Sequence, residues 1–250
     1  MAQSNILLVL GLAMLGMEPA EGGPIGFGVN LIVNGDAEAG PGNTTGAEVT
    51  PVPGWQYNAA PIAVVQYGAG GAGQFPAATD PGGAVGGLNF FAGGPQQFGG
   101  LYQLLDVSSL ASAMDTGGVG YEISGYFGGW TTQDDYGQLR VSFFDAGDNE
   151  FELLRKLVLG PSASERGNQT GLFFQSGSGM MPAGTRTIRF FLDFYRVAGD
   201  YNDGYLDNLS FVARAPAVVP EETVPEPGTA VLLAGGVAGL AIWRRRGMVG

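Results

Sequence analysis

Apolar and polar residues alternate with a period of two through the middle of the chain. The clearest runs are Leu139-Arg140-Val141-Ser142-Phe143 and Thr187-Ile188-Arg189-Phe190-Phe191-Leu192-Asp193-Phe194-Tyr195. That period is the mark of a strand with one face on a core and the other turned away from it. Further short segments rich in β-branched and aromatic residues lie between Gly, Pro, Asn and Asp clusters. They predict strands at 29–33, 62–67, 87–91, 101–107, 120–127, 138–144, 151–159, 171–175, 185–195 and 205–212. The one short helical pattern, SSLASAM at 108–114, is expected to be a surface turn. No repeat of solenoid or propeller length is present. The pattern therefore predicts an all-β fold, an antiparallel β-sandwich, over residues 27–213.

The two ends break this pattern. Ile6 to Met17 form a run of 12 apolar residues, too short to span a bilayer comfortably but suited to a signal peptide, so 1–23 is read as an export segment cleaved between Met17 and Gly26. No Lys or Arg precedes residue 140, so the usual basic start of such a signal is missing. Residues 214–223, RAPAVVPEET, read as a semi-rigid linker. Beyond them come Val224-Pro225-Glu226-Pro227-Gly228, an apolar stretch from Thr229 to Trp243, and Arg244, Arg245 and Arg246. That stretch suits a single membrane helix, with the arginines stopping transfer on the cytoplasmic side.

The order Pro-Glu-Pro, hydrophobic helix, Arg cluster over 224–250 strongly resembles the PEP-CTERM sorting signal of exopolysaccharide-producing Gram-negative bacteria. The resemblance implies that an exosortase, a membrane-embedded transpeptidase, recognises Pro225-Glu226-Pro227 and cuts near it. The chain would then pass through the inner membrane to the cell surface or the medium. The simpler alternative is a permanent single-span anchor.

Composition narrows the chemistry. The 250 residues include 45 Gly and 15 Pro, and neither His nor Cys. Imidazole bases, thiolate nucleophiles and His/Cys zinc sites are thereby excluded. Between Pro24 and Thr223 there are 20 acidic and 8 basic residues, a surplus of 12 negative charges that disfavours nucleic acid and other polyanions. Gly68-Ala69-Gly70-Gly71-Ala72-Gly73 spells a dinucleotide-binding pattern, yet Gln74-Phe75-Pro76 cannot open the helix such a site needs. It is read as a glycine-rich loop, and no nucleotide cofactor is expected.

Asn30-Leu31-Ile32-Val33-Asn34-Gly35-Asp36-Ala37-Glu38-Ala39-Gly40 opens the sandwich, and Asn202-Asp203-Gly204-Tyr205-Leu206-Asp207-Asn208-Leu209-Ser210-Phe211 closes it. These resemble the first and last strands of the galactose-binding-like jelly roll of many carbohydrate-binding modules. The middle, with Gly128-Gly129-Trp130-Thr131-Thr132-Gln133-Asp134-Asp135 and Arg166-Gly167-Asn168-Gln169-Thr170-Gly171, resembles a recurrent ectodomain of PEP-CTERM proteins. The resemblance implies that Glu38 and Asp207, from neighbouring first and last strands, hold a structural Ca²⁺. Hard oxygen ligands suit that ion. A large aromatic is usual where Ala37 stands, so packing beneath the first strand is expected to depart from the family.

Aromatics and carboxylates also lie together at Trp130, Gln133, Asp134 and Tyr136, with Trp55 a further candidate. Such residues hold sugars by apolar contact with the ring and hydrogen bonds to its hydroxyls. The simpler alternative makes both tryptophans packing residues. The functional expectation is a non-catalytic module for neutral polysaccharide on an exported protein. The alternatives are a hydrolase with paired carboxylates or a purely structural surface protein.

Overall fold

A computed structural model describes residues 25–217, apart from 72, 84, 86 and 153–155. The export segment, the Pro225-Glu226-Pro227 motif, the expected membrane helix and Arg244–Arg246 lie outside the described residues. The compact unit ends at Pro216. Among the described residues no helix is long and apolar enough to cross a membrane.

Among the described residues, ten strands form two five-stranded antiparallel sheets. They are β1 (Gln56–Tyr57), β2 (Ala63–Gln66), β3 (Asn89–Gly94), β4 (Phe98–Asp106), β5 (Gly120–Gly129), β6 (Tyr136–Phe144), β7 (Lys156–Leu159), β8 (Gly171–Met180), β9 (Thr187–Tyr195) and β10 (Asn202–Arg214). The first sheet runs β1-β4-β9-β6-β7 and the second β2-β3-β10-β5-β8. This is the jelly-roll sandwich that the alternation and the terminal segments predicted. The turn expected at 108–114 is a 3₁₀ turn, Ser108–Leu110, running into α1, Ala111–Thr116.

The alternation explains the core. Ile188, Phe190, Leu192 and Phe194 of β9 and Leu139, Val141 and Phe143 of β6 all point inward and are fully buried. Phe190 meets Phe211 of β10 edge-on at 5.1 Å, tying one sheet to the other. Burying each such ring contributes about 1.5–3 kcal/mol. A second, smaller cluster lies on the other side of the second sheet. There Phe75, from the glycine-rich loop, packs 6.4 Å from Phe90 and 5.5 Å from Tyr201.

The opening segment departs from expectation. Residues 29–33 form a single bridge, Asn30 to Val212, followed by turns rather than a strand. Asn34 and Ala37 both take positive φ, which extended pairing does not permit. The segment still runs beside β10, held by Asn30 Oδ1 accepting from the Phe211 N–H at 2.9 Å and by the Leu209 N–H donating to Gly35 O at 2.9 Å. It meets β10 where that strand slips register between Asp207 and Ser210, a bulge that aims Asp207 toward the loops. Ala37 is buried and borders a cavity of about 320 Å³, also lined by Val52, Pro53 and Val64, the space a larger side chain would fill.

Candidate functional site

The outer face of the first sheet carries the side chains that the alternation turns away from the core. Strand register sets them in rows. Phe98, Tyr195 and Tyr136 are directly opposite one another on β4, β9 and β6. Their rings form a ladder with both centroid spacings at 4.9 Å. Four residues along the strands, about 13 Å away, Tyr102, Phe191 and Arg140 make a second ladder. Tyr102 stacks on Phe191 at 6.2 Å, and the Arg140 guanidinium lies 3.7 Å from the centre of the Phe191 ring.

Between the ladders lies the row Gly100, Asp193, Gln138 and Leu159, a strip here called the trough. Its floor is polar. Asp193 is only 3% exposed, accepting from Asn58 Nδ2 at 3.3 Å and Gln138 Nε2 at 3.1 Å, with Arg140 Nε at 3.5 Å. Gly100 must be glycine to leave room for this arrangement, because a Cβ there would stand 2.4 Å from Asn58 Oδ1. Burial raises the Tyr195 phenol above its ordinary range, and the Asp193 charge adds to the effect. Tyr102 donates from its hydroxyl to Gln56 Oε1 at 2.5 Å, steadying the far wall. One row further on, Arg189 covers the Phe144 ring at 3.8 Å and pairs with Asp148.

A buried polar network holds one end of the trough. Asp135 Oδ1 accepts from the N–H groups of Val197 and Ala198 at 2.6 and 2.9 Å, and its Oδ2 accepts from the Asp203 N–H at 2.9 Å. With its amide turned to donate, Gln133 reaches Asp203 Oδ2 at 3.1 Å and Asp135 Oδ2 at 3.2 Å. Arg166, 2% exposed, donates to the carbonyls of Pro161, Thr131, Gln133 and Gln169. Burial pulls its pKa down, while Asp134, Tyr205, Asp135 and Asp203 hold it up. Asp203 is pushed up to about 6, chiefly by burial, although the Tyr205 hydroxyl donates to it at 2.6 Å. These bonds fix the chain on either side of Tyr136 and Tyr195, and so position the first ladder.

The aromatic and acidic residues anticipated from sequence do not converge. Tyr136 alone stands in the trough. Trp130 packs with the cluster on the other sheet, its indole N–H donating to Gly73 O at 2.8 Å. Asp134 accepts from the Ala163 N–H at 2.8 Å, and Gln133 belongs to the buried network. Trp55 is corrected outright. It is 3% exposed, packs edge-on to Phe91 at 6.0 Å and donates to Asn34 O at 3.1 Å, so it is a core residue with no face for a ligand.

Glu38 and Asp207 lie in reach of one another's charge. Glu38 Oε1 accepts from the N–H groups of Leu88 and Asn89 at 2.8 and 2.6 Å. Asp207, fully buried, accepts from the Tyr67 hydroxyl at 2.7 Å and the Asn208 N–H at 2.6 Å. Its pKa is pushed up to about 7, first by burial and further by Asp36 and Glu38. Asn89 donates to the carbonyls of Ala37 and Gly40, but its Oδ1 is buried without a partner. Among the described residues no group of three or more His, Cys, Asp or Glu side chains is placed to hold a metal.

Comparison with known proteins adds a destination. Residues 223–246 match the PEP-CTERM protein-sorting motif. That motif marks the chain as an exported protein. No curated protein matches the chain. Similar solved structures include a "Family 16 Carbohydrate Binding Module-2", 18% identical over 73% of this chain and 99% of that one, with a TM-score of 0.45. Another is TmCBM61 in complex with β-1,4-galactotriose, 16% identical over 73% of this chain and 97% of that one, TM-score 0.39. A third is a cyclase from Fischerella sp. TAU, 15% identical over 74% of this chain and 97% of that one, TM-score 0.48.

Proposed function

We propose that this is an exported surface or matrix protein whose sandwich holds a polysaccharide, without cleaving it, in the trough of the first sheet. The observation that carries the proposal is the Asp193 row between two aromatic ladders. Ring edges offer apolar walls for the C–H faces of a saccharide, and the Arg140 guanidinium, its side chain 25% exposed, offers donors for its hydroxyls above the buried Asp193 and Gln138. The charges there are matched within the protein, Arg140 with Asp193 and Arg189 with Asp148. With an acidic chain around it, the trough suits a neutral glycan such as a cell's own exopolysaccharide. Asp193 is held by two amide donors and an ion pair with Arg140, which makes it a positioning group rather than an acid free to attack or protonate a glycosidic bond.

Tyr195→Ala, which opens the centre of the first ladder, should weaken retention on a neutral polysaccharide about tenfold or more. Trp130→Ala, remote from the trough, should leave retention unchanged. Affinity electrophoresis on a panel of neutral and acidic polysaccharides measures both. Equal binding by wild type and Tyr195→Ala would overturn the trough as the site, and cleavage of the polymer would favour the hydrolase.

The sorting motif supports processing by an exosortase-type membrane transpeptidase. Intact-mass analysis of protein recovered from the cell surface or medium should find residues 1–23 and 229–250 removed. Retention of 229–250 would leave a simple anchor instead.

The carboxylates of Glu38 and Asp207 with the orphaned Asn89 Oδ1 also offer hard oxygen donors that suit a structural Ca²⁺, Asp207 being pushed up to about 7 by burial and by the Asp36 and Glu38 charges. The ion would supply positive charge between the opening segment and β10.

A further inference from the structure

Sheet edges are where a β-protein is open to further pairing, and this sandwich treats its edges unequally. The edge strands β1, β7 and β2 contain 2, 4 and 4 residues, whereas β8 has 10. β8 pairs with β5 in unbroken register from Gly171 to Met180 and, among the described residues, has no strand on its other side. It contains no charge, no proline and no bulge, the devices that ordinarily blunt an edge.

The phase of the open edge can be read directly. The Leu172 N–H donates to Pro81 O at 2.8 Å, away from β5. By alternation the N–H and C=O groups of Phe174, Ser176, Ser178 and Met180 also point outward. The segment Phe174-Gln175-Ser176-Gly177-Ser178-Gly179-Met180 is self-complementary about Gly177. Laid antiparallel on itself, it sets Ser176 against Ser178 and Phe174 against Met180. Phe174 and Met180 are each 57% exposed, and a sulfur–aromatic contact would cover both. In this register every outward N–H meets an outward carbonyl.

We propose that two copies of the chain pair through β8, antiparallel and centred on Gly177, joining their second sheets into one continuous sheet. The twofold axis stands normal to that sheet. Both first sheets then face the same side, so that two troughs can engage one polymer. Lys156 lies under the axis, its ammonium 3.1 Å from where a Cβ on Gly177 would stand. Its repulsion of the second copy's equivalent makes added salt strengthen the pair, the reverse of association between opposite charges.

The native chain has no Cys, so single introduced thiols test the register in the full-length protein. Gly177→Cys faces its own copy across the axis at a separation a disulfide can span. Only the movable end of Lys156 lies in its way. Gln175→Cys faces residue 179 of the other copy instead. Oxidation should link Gly177→Cys into dimers at least about tenfold more efficiently than Gln175→Cys. Ser178→Pro, which removes an outward N–H and keeps the β5 ladder, should cut that linkage about tenfold. Equal cross-linking of the two thiols, as association through the hydrophobic tail would give, overturns the proposal. So does linkage that ignores Ser178→Pro. Sedimentation of the unsubstituted chain guards against a misfolded variant: salt-strengthened dimers are expected, and monomers throughout the micromolar range would overturn the pairing.

Discussion

Replacing Arg166 by Met is expected to lower the stability of the sandwich by about 3–5 kcal/mol, the usual effect of removing one side of a buried charge constellation. For a unit of this size that moves the thermal midpoint down by on the order of 10 °C. The guanidinium is buried to 2% exposure and donates to four backbone carbonyls, from Pro161, Thr131, Gln133 and Gln169. Methionine fills much of the volume but leaves those carbonyls without donors. Arg166→Lys should recover only part of the loss, because one ammonium cannot reproduce a planar fork. The deficit should also grow as pH rises. Asp203, already pushed up to about 6 by burial, loses a cation that favours its charged form, so its folded pKa climbs further and ionisation at high pH opposes folding more strongly. Melting Arg166→Met at pH 5 and pH 8 checks both statements. A midpoint within a degree or two of wild type would mean that water replaces the guanidinium at little cost.

Arg166 also shows where sequence reading stops. Nothing in Arg166-Gly167-Asn168-Gln169-Thr170 marks its side chain as buried, since an Arg in a polar loop is ordinarily solvated. Its partners are backbone carbonyls, which carry no sequence signature. The sandwich was legible because alternation is local, and Thr187 to Tyr195 states its own inward and outward faces. The trough was half legible. Phe98 and Tyr102, Tyr136 and Arg140, and Phe191 and Tyr195 recur four residues apart, the spacing of one strand face. Which strands are neighbours is decided by long-range pairing, and without that order six residues do not become two ladders. Trp55 is ambiguous in the sequence. Val52-Pro53-Gly54-Trp55 leaves it open as a ligand platform or a packing residue, and the turn folds it back against Phe91 as a packing residue. The expected strand at 29–33 failed because side-chain bonds from Asn30 to the Phe211 N–H and Leu209 O replace most of a backbone ladder.

Without metal, the protein should become less stable as pH rises from 5 to 8, and calcium should abolish or reverse that trend. The group responsible is Asp207, fully buried, with its pKa pushed up to about 7 from an ordinary 3.8 by burial and by Asp36 and Glu38. Between those values the folded state binds a proton that the unfolded chain has released. This contribution is therefore complete below the unfolded value and lost as pH climbs to the folded one, roughly 4 kcal/mol in all at 1.36 kcal/mol per unit, of which about 3 kcal/mol falls between pH 5 and 8. Asp203 acts in the same direction over a lower window, up to about 6. A calcium ion bound only by the folded state reverses the balance, since it favours the ionised carboxylate that burial disfavours and its effect grows with pH. Melting at pH 5 and 8, in chelator and in excess calcium, tests the pair of effects. Asp207→Asn should remove the metal-dependent rise and most of the pH dependence above 6. It should retain the lower part that belongs to Asp203. A midpoint indifferent to calcium at pH 8, with the fall in chelator intact, would leave Glu38, Asp207 and the orphaned Asn89 Oδ1 as a strained polar cluster and not a cation site.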